Sequence, residues 1–408
     1  MAAEELSLFA PEEMGGVSLE EVIEAYYDCR RRKRNTVNAL EFEVDYERHC
    51  IDLWQELNSH TYEPRRSIAF VVEHPVKREI FAADFRDRVV HHLIARRIYG
   101  LLEAQFLTDS YSTQKGKGTL FGIERVEQHI RECSEGYTRD CYIMKLDISG
   151  YFMSIDKQRL FDCVRRFLDG HYPDRQGLPI LLYMLRKTIF NRPERNCIRK
   201  VPRYRWRGLP RNKSLFGSDG RTGLPIGNLT SQLFSNVYLN VLDQFMKRVL
   251  KCRHYGRYVD DFFVVSCDRE WLLSLVPRIR RFLKVELGLD LHMGKVRICR
   301  ASQGVEFLGA YIKPFRIYTS NATKERILRN LSEMDFTDRE AVGRTVNSYL
   351  GIMSKTASYN LRRELFFRKE FLRIGSFDER MTKFTPHGHR TLRRGPASRL
   401  HRHQQHHL

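Results

Sequence analysis

The sequence predicts a mixed α/β (α+β) fold in which an antiparallel sheet carries acidic residues and an all-helical section follows. Residues 255–265 place β-branched and aromatic residues on both sides of two adjacent aspartates, which is typical of two strands joined by a tight turn. Residues 141–147 form a second short apolar run, which ends on Asp147. From residue 323 to about residue 373 the apolar positions recur at helical spacing instead.

The length, charge and cysteine content limit the classes of protein to which the chain can belong. The 408 residues suffice for two or three subdomains. The 70 Lys and Arg against 50 Asp and Glu leave a net charge of +20, which most often marks a nucleic-acid partner, and a generically basic surface is the alternative. Nine scattered cysteines without C-x-x-C spacing argue against a disulfide framework. Without a signal-peptide pattern or an apolar run long enough for a bilayer, we expect a cytoplasmic protein with no membrane partner.

The N-terminal third alternates helices with short strands. After an N-terminal extension, the expected elements are helices at 19–34 and 40–59, strands at 67–73 and 78–82, a helix ending near 102, and a basic loop at 110–119. Arg86 is a candidate phosphate contact because guanidinium binds phosphate oxygens bidentately, and an ion pair on the helix surface is the alternative. In the basic loop, Lys115 and Lys117 stand among glycines. They lack the Walker spacing but could hold a triphosphate or a template phosphate.

The middle of the chain contains a strongly basic segment. Helices are expected at 156–170 and 179–190, a long helix from about 229 to 250, a helix at 270–287, a strand-like return at 289–298 and a hairpin at 305–312. Between residues 191 and 221 the chain is rich in arginine, with Tyr204 and Trp206 interleaved. Such a segment is typical of a hairpin or long loop that follows a nucleic-acid backbone, and a merely solvated loop is the alternative.

The three aspartates predict the chemistry. Asp147 closes an apolar run, so its charge is expected at the end of a buried strand, where it needs a cation or hydrogen bonds. With Asp260 and Asp261 it would supply the clustered oxygen ligands that two Mg²⁺ ions share across roughly 4 Å. The reaction implied is phosphoryl transfer by in-line displacement. The alternative is that Asp260 and Asp261 are ordinary turn residues.

From about residue 20 to 373 the chain resembles the reverse transcriptases. Residues 258–261 (Tyr-Val-Asp-Asp) match the catalytic hairpin of that family, and the strand with Asp147 matches its first metal-binding motif. The resemblance implies two Mg²⁺ ions, which Mn²⁺ can replace, held by the three aspartates and the backbone of Ile148. It also assigns Phe152 as the aromatic gate against the ribonucleotide 2′-hydroxyl, Lys295 as a catalytic lysine near the leaving pyrophosphate, and Phe307, Leu308 and Gly309 as the primer grip.

Within that family the chain is most similar to the reverse transcriptases of bacterial and phage diversity-generating retroelements. The motifs that carry this similarity are residues 85–92, 115–119, 223–232 and 348–351. In the turn at 223–232, Ile226, Gly227 and Gln232 are implied to contact nucleotide or template. Most retroviral and intron relatives have Gln where Ile226 stands, and the resemblance links the apolar residue to error-prone copying opposite adenine; ordinary packing is the alternative. Gln114 departs from the Arg expected in this subgroup, so Lys115 or Lys117 would take over its role.

The resemblance implies a right-hand polymerase. Its parts would be an N-terminal extension at 1–18, fingers at 19–140, a palm at 141–315 with a basic insertion or fingers return at 191–222, a helical thumb at 316–374 and a basic, His-rich, disordered tail at 375–408. The expected partners are template RNA, the RNA/DNA hybrid, dNTPs and a small basic oligomeric accessory protein. Two alternatives stay open, namely a reverse transcriptase of a phage-defence or CRISPR-linked system and a non-catalytic RNA-binding scaffold.

Overall fold

The structure is a computed structural model that describes residues 16–31, 36–73 and 76–387. The chain divides into two compact units, with the division between Ile317 and Tyr318. The change of sequence pattern near residue 316 lies next to this division. Within the described residues, the helices are too short or too polar to cross a membrane. The expected N-terminal extension and most of the tail lie outside the described residues.

The first unit contains helices on both sides of its central sheet. Its helices are α1 (Leu19–Arg30), α2 (Val37–Val44), α3 (Tyr46–Asn58), α4 (Phe85–Glu103), α5 (Thr119–Cys133), α6 (Tyr151–Ser154), α7 (Lys157–His171), α8 (Leu178–Ile189), α9 (Leu229–Gln244) and α10 (Arg269–Leu287). The predicted helix at 40–59 is wrong in one respect, since Asp45 leaves helical geometry (φ −139°, ψ 53°) and separates α2 from α3. Proline at position 277 lies inside α10, which continues through it.

The strands of the first unit form one central sheet and two smaller groups. They are β1 (Ser67–Val72), β2 (Arg78–Ala82), β3 (Tyr142–Asp147), β4 (Cys197–Arg199), β5 (His254–Tyr258), β6 (Asp261–Ser266), β7 (Arg297–Arg300), β8 (Val305–Phe307), β9 (Ala310–Lys313) and β10 (Arg316–Thr319), the last of which crosses the division. The central sheet is antiparallel in the order β5-β6-β3-β7. An antiparallel sheet with the predicted acidic strands is therefore confirmed.

The two central strands of this sheet, β3 and β6, are buried on both faces, which explains why they are nearly continuous apolar runs. Met144 and Phe262 belong to the main apolar core, together with residues from α1, α4, α7, α8 and α9. Ile143 and Phe263 face a second apolar cluster that includes residues of α5, β8 and β9. Alternate residues along each strand therefore enter different cores, as the period of two requires.

The basic segment at 191–221 is more ordered than a solvated loop. Its strand β4 pairs with β1 in parallel, so the small sheet has the order β2-β1-β4. Glu79 on β2 is fully buried, and its carboxylate accepts hydrogen bonds of 2.7 Å from Trp206 Nε1, Ser214 Oγ and the Leu215 backbone N–H. Three donors to one buried carboxylate fix the path of this segment, because an unsatisfied charge there would be costly.

The second unit is not purely helical, so that prediction is wrong in part. It contains α11 (Asn321–Ser332), α12 (Arg339–Met353), α13 (Tyr359–Phe366) and α14 (Lys369–Ile374), followed by the antiparallel strands β11 (Gly375–Phe377) and β12 (Phe384–Pro386). The predicted tail begins at 375, but residues 375–387 are ordered. Met381 and Phe384 are buried in the core of this unit, and Asn347 makes two hydrogen bonds with the backbone of Phe384.

Candidate active site

Three aspartates meet at one end of the central sheet. In the register of β3 and β6, Asp147 lies directly opposite Asp261. Asp261 also lies opposite Tyr258 in the pairing of β5 and β6, so Val259 and Asp260 form the turn between the two strands. Val259 has a φ of +55°, a left-handed value that β-branched residues rarely adopt. The structure thus brings together the three carboxylates that the sequence singled out.

The carboxylates are close enough to perturb one another. Burial, with repulsion from Asp147 and Asp261, raises the pKa of Asp260 to about 6. Burial also raises the pKa of Asp261, with a contribution from Asp147, although Lys145 opposes this shift. Burial is the larger cause of the raised pKa of Asp260, and repulsion from the neighbouring carboxylates adds to it.

Two lysines face the aspartates and partly neutralise them. The Lys295 ammonium group forms an ion pair with Asp147, and Lys145 Nζ lies 3.7 Å from Asp261 Oδ1. Burial lowers the pKa of Lys295, but its ion pair with Asp147 outweighs that effect and the pKa is raised. The Lys295 side chain is 57% exposed, whereas that of Asp147 is 8% exposed. An exposed ammonium group therefore pairs with a buried carboxylate at this end of the sheet.

The donor set fits hard divalent cations. Three carboxylates at one sheet end offer oxygen ligands only, which is the chemistry that Mg²⁺ and Mn²⁺ prefer. Ile148, predicted to contribute its backbone, follows Asp147 directly and pairs with Leu291 in an isolated bridge. His292 donates its backbone N–H to the Asp147 carbonyl oxygen at 2.8 Å, which fixes the strand end where Lys295 approaches.

A buried polar network, which no sequence motif indicated, lies beneath the turn. The Arg257 side chain on β5 and the Asp243 side chain on α9 are both 0% exposed, with Nη2 2.6 Å and Nε 2.7 Å from the two carboxylate oxygens. Arg257 Nη1 donates to the Val259 carbonyl oxygen at 3.0 Å. Ser112 Oγ accepts from the Val259 N–H at 3.3 Å and donates to Asn236 Oδ1 at 2.9 Å. Both backbone groups of Val259 are thereby fixed, and with them the turn that carries Asp260.

In the basic loop at 110–119, the two predicted lysines differ in whether their side chains are free to contact a ligand. Gln114 is buried, and its Nε2 donates to the Ser110 carbonyl oxygen at 2.6 Å. Lys117 Nζ donates to Gln114 Oε1 at 2.7 Å and to the Thr108 carbonyl oxygen at 3.0 Å, so this ammonium group ties the loop together. Lys115 is exposed. Of the two predicted lysines, Lys115 is therefore the one whose side chain can reach a ligand without breaking the loop.

The prediction that Arg86 contacts a nucleotide is wrong for this structure. Its guanidinium is 4% exposed and forms an ion pair with Glu56. It also donates to the Glu63 carbonyl oxygen at 3.3 Å and lies 4.9 Å from the centre of the Tyr62 ring. Ion pairs do occupy this arginine, but they are buried and not on the helix surface: Glu56 on α3 is the close partner, and Asp87 Oδ1 lies 3.6 Å from Nη1.

The turn before α9 and the short helix α6 contain further predicted residues. Phe152 lies on α6, and its carbonyl oxygen accepts from the Leu224 N–H at 2.8 Å. Ile226 is half-buried against an apolar cluster that includes Phe81. Gly227 has a φ of +115°, and a Cβ there would lie 2.8 Å from a methyl group of Ile80, so glycine is required. Gln232 is exposed on the first turn of α9.

The predicted primer grip is the turn between β8 and β9. Phe307 is 1% exposed and packs edge to face on Phe263, with ring centres 5.4 Å apart. Leu308 and Gly309 have positive φ values of 50° and 81°. Phe263 follows Asp261 by two residues on β6, so this contact attaches the turn to the strand that carries the aspartates.

A basic cleft lies in the segment at 191–221. Its volume is about 340 Å³, and its lining includes Arg199, Arg203, Trp206, Arg211 and Phe216. The Arg199 guanidinium lies 4.4 Å from the centre of the Phe216 ring. Arginines interleaved with aromatic rings are the residue types that bind the backbone and the bases of single-stranded nucleic acid.

Comparison with known proteins assigns the family. The family model described as "Reverse transcriptase (RNA-dependent DNA polymerase)" matches residues 77–312, more than half of the chain. Protein YkfC from Escherichia coli strain K12 is 25% identical over 292 residues, which cover 63% of this chain and 69% of that protein. Two solved structures are similar at 10% sequence identity. Telomerase from Candida albicans, in complex with a fragment of telomeric RNA, has a TM-score of 0.45 and covers 64% of this chain. Truncated apo telomerase from Candida tropicalis has a TM-score of 0.46 and covers 66%.

This chain spans 46% and 60% of those two telomerase chains, respectively. The family model covers β2 through most of β9, and thus every strand of the central sheet and all three aspartates. The mixed α/β structure with its antiparallel sheet is consistent with the right-hand polymerase fold. The chain therefore belongs to the reverse transcriptase family, the RNA-directed DNA polymerases, which copy a nucleic-acid template with divalent metal ions.

Proposed function

We propose that this protein copies a template RNA into cDNA at the site formed by Asp147, Asp260 and Asp261. The observation that carries the proposal is the register that sets Asp147 opposite Asp261, with Asp260 in the adjoining turn. The raised pKa of Asp260, about 6, supports it because repulsion from Asp147 and Asp261 contributes to that shift, which a bound cation would relieve. The substrates would be dNTPs and an RNA/DNA hybrid.

The three aspartates and Lys295 would have different roles in the reaction. Asp147, Asp260 and Asp261, with the Ile148 backbone, would hold two Mg²⁺ ions. When bound, the ions would supply Lewis-acid stabilisation of the attacking hydroxyl and the leaving pyrophosphate. Lys295, which pairs with Asp147, would offer its positive charge to the leaving pyrophosphate.

Nucleic acid would approach along basic surfaces. The cleft lined by Arg199, Arg203 and Arg211 would hold template backbone, and Lys115 would contact template or triphosphate. The turn of Leu308 and Gly309 would hold the primer. Phe152 would exclude the ribonucleotide 2′-hydroxyl. The buried Arg86 and the half-buried Lys117 would then have structural roles.

The more specific proposal is a diversity-generating retroelement, with copying that is error-prone opposite adenine. It rests on the motif similarity given above and on Ile226, whose half-buried apolar side chain cannot make a polar contact with a templating base pair. The small basic accessory protein belongs to this proposal. A bacterial or phage gene and a cytoplasmic location would follow from it.

Primer extension on a defined RNA template with Mg²⁺ tests the general proposal. We expect the wild-type protein to extend the primer and Asp260→Ala to abolish synthesis while RNA binding, measured by filter retention, stays within twofold. Full-rate extension by Asp260→Ala would remove the assignment of the site. RNA binding without any synthesis by the wild type, with or without the accessory protein, would favour the scaffold alternative.

Sequencing of the extension products tests the specific proposal. Substitutions concentrated opposite template adenine, and reduced in Ile226→Gln, would support the diversity-generating assignment. Faithful products would instead favour a defence or CRISPR-linked reverse transcriptase. Ile226→Val is the matched control, since it keeps an apolar side chain at the same position and should keep the error pattern.

A further inference from the structure

A second group of potential metal ligands lies at the far end of the strand that leads to the aspartate turn. His254 is the first residue of β5, whose last residue, Tyr258, precedes that turn. His129 and Glu132 lie three residues apart on α5 and therefore project from the same face of that helix. One ligand atom from each of these three residues lies within 4.8 Å of the other two. The cluster is composed of imidazoles and one carboxylate, unlike the all-oxygen aspartate site.

The spacing of the ligand atoms matches a tetrahedral ion. His129 Nδ1 lies 3.4 Å from His254 Nδ1, with the two rings inclined at 72°. Zinc–nitrogen bonds of about 2.0–2.1 Å at a tetrahedral angle separate two ligand nitrogens by about 3.4 Å. Glu132 Oε2 lies 3.8 Å from His254 Nδ1, a distance that a small side-chain rotation would close. An ion between the three atoms would keep one position open to solvent, because Glu132 is 43% exposed.

A carboxylate lies on the outer side of one of the two histidines. The other nitrogen of His129, Nε2, lies 3.2 Å from Asp109 Oδ1, although the angle there does not make a hydrogen bond. Glu132 Oε1 accepts from Gln128 Nε2 at 2.7 Å, which leaves Oε2 directed at the histidine. Arg125 pairs with Asp109 and also donates to Gln128. Both imidazoles are buried, at 3% and 8% exposure, so their orientation is fixed by packing.

We propose that His129, Glu132 and His254 bind one divalent transition-metal ion of the zinc class, separate from the ions at the aspartates. Imidazole ligands favour Zn²⁺ over Mg²⁺, which takes oxygen ligands. The ion joins α5 to the start of β5. Its binding therefore stabilises the attachment of the helix to the strand that carries the aspartate turn, without contacting substrate.

Zinc titration of the full-length protein, stripped with a chelator and kept in excess Mg²⁺, tests the proposal. The competitor is a chromophoric zinc chelator, and Co²⁺ serves as a spectroscopic probe. We expect His254→Gln to bind one equivalent less than the wild type and to lose the visible absorption of tetrahedral Co²⁺. The histidines at positions 387–407 are common to all proteins in the comparison and contribute equally. His171→Gln, an exposed histidine on α7, is the matched control and should bind as the wild type does.

A second variant is needed in case the buried substitution His254→Gln disturbs folding. Glu132 is at the surface, so Glu132→Gln should fold normally, bind Zn²⁺ at least about tenfold more weakly and lose the rise in melting temperature that Zn²⁺ gives the wild type. Equal stoichiometry and affinity in wild type and Glu132→Gln would overturn the proposal and leave the two histidines as a hydrogen-bonded pair. The readouts are independent of polymerase activity, so failure here would leave the proposed function intact.

Discussion

Removing the charge of Asp243 should destabilise the protein strongly, because the Arg257 guanidinium would remain buried without a counter-charge. Both side chains are 0% exposed and share two short contacts. Removal of one partner of such a pair typically costs about 3–5 kcal/mol. Against a total free energy of unfolding of about 5–15 kcal/mol, this is a large fraction. Asp243→Asn keeps one oxygen that can accept from the Tyr255 hydroxyl and Arg257 Nε, but its NH2 group would face Arg257 Nη2, so the change removes the charge together with one hydrogen bond.

A double variant separates stability from positioning. Asp243→Leu with Arg257→Met replaces the pair by apolar groups of similar volume, which is often neutral or stabilising. It also removes the hydrogen bond from Arg257 Nη1 to the Val259 carbonyl oxygen. We therefore expect the double variant to unfold in urea within about 2 kcal/mol of the wild type. We also expect it to extend primers at least about tenfold more slowly, because small displacements of positioned groups are costly in rate.

The control is Glu270→Gln, which removes one partner of the exposed pair between Arg269 and Glu270 and should change stability by no more than about 1 kcal/mol. A loss of less than about 1 kcal/mol for Asp243→Asn would refute the argument about the buried charge. Wild-type extension by a stable double variant would refute the argument that the guanidinium positions the turn.

Three further predictions follow from single side chains. Lys117→Ala should lower the free energy of unfolding by about 1–3 kcal/mol, because Gln114 and loop carbonyls lose their donor. Lys115→Ala should instead weaken substrate binding in primer extension and leave the melting temperature unchanged. Burial, with repulsion from His92 and Arg88, lowers the pKa of His91 to about 3, so the unfolded chain binds the proton first and stability falls as the pH drops below about 6.5. In His91→Leu, the free energy of unfolding, measured in urea, should fall less steeply with decreasing pH, by up to about 1.4 kcal/mol per pH unit. An unchanged pH dependence would contradict this prediction. Phe152→Ala should raise ribonucleotide incorporation in the same extension assay, with Phe152→Tyr as the control that keeps the ring.

The sequence predicted the aspartate site because its signals are local. Asp147 ends an apolar run and two more aspartates interrupt another, so strand ends and charges could be recognised within a few residues. Their meeting depends on one antiparallel pairing, which the period of two constrains. The apolar runs were continuous rather than alternating because Ile143 and Met144 enter different cores.

The errors concern side chains whose partners are distant in sequence. Arg86 pairs with Glu56, 30 residues earlier, and no short-range pattern marks that contact. The hairpin of β11 and β12 was missed because its strands have three residues each, and its apolar anchors Met381 and Phe384 stand among polar and charged residues of both signs. The buried network did have a signal in the sequence, which is a single charged residue in each of two buried elements. Arg257 lies in β5, and Asp243 lies near the end of the apolar helix α9.

The buried pair and the aspartates are two parts of one electrostatic arrangement. Three carboxylates near each other repel, and repulsion from Asp147 and Asp261 adds to burial in raising the pKa of Asp260. A turn under such repulsion would move apart unless its backbone were held from beneath. Arg257 and Ser112 hold the Val259 carbonyl and N–H, while Lys295 and Lys145 supply exchangeable positive charge from outside. The buried network therefore fixes the turn that carries Asp260, and the two lysines offset part of the negative charge of the carboxylates.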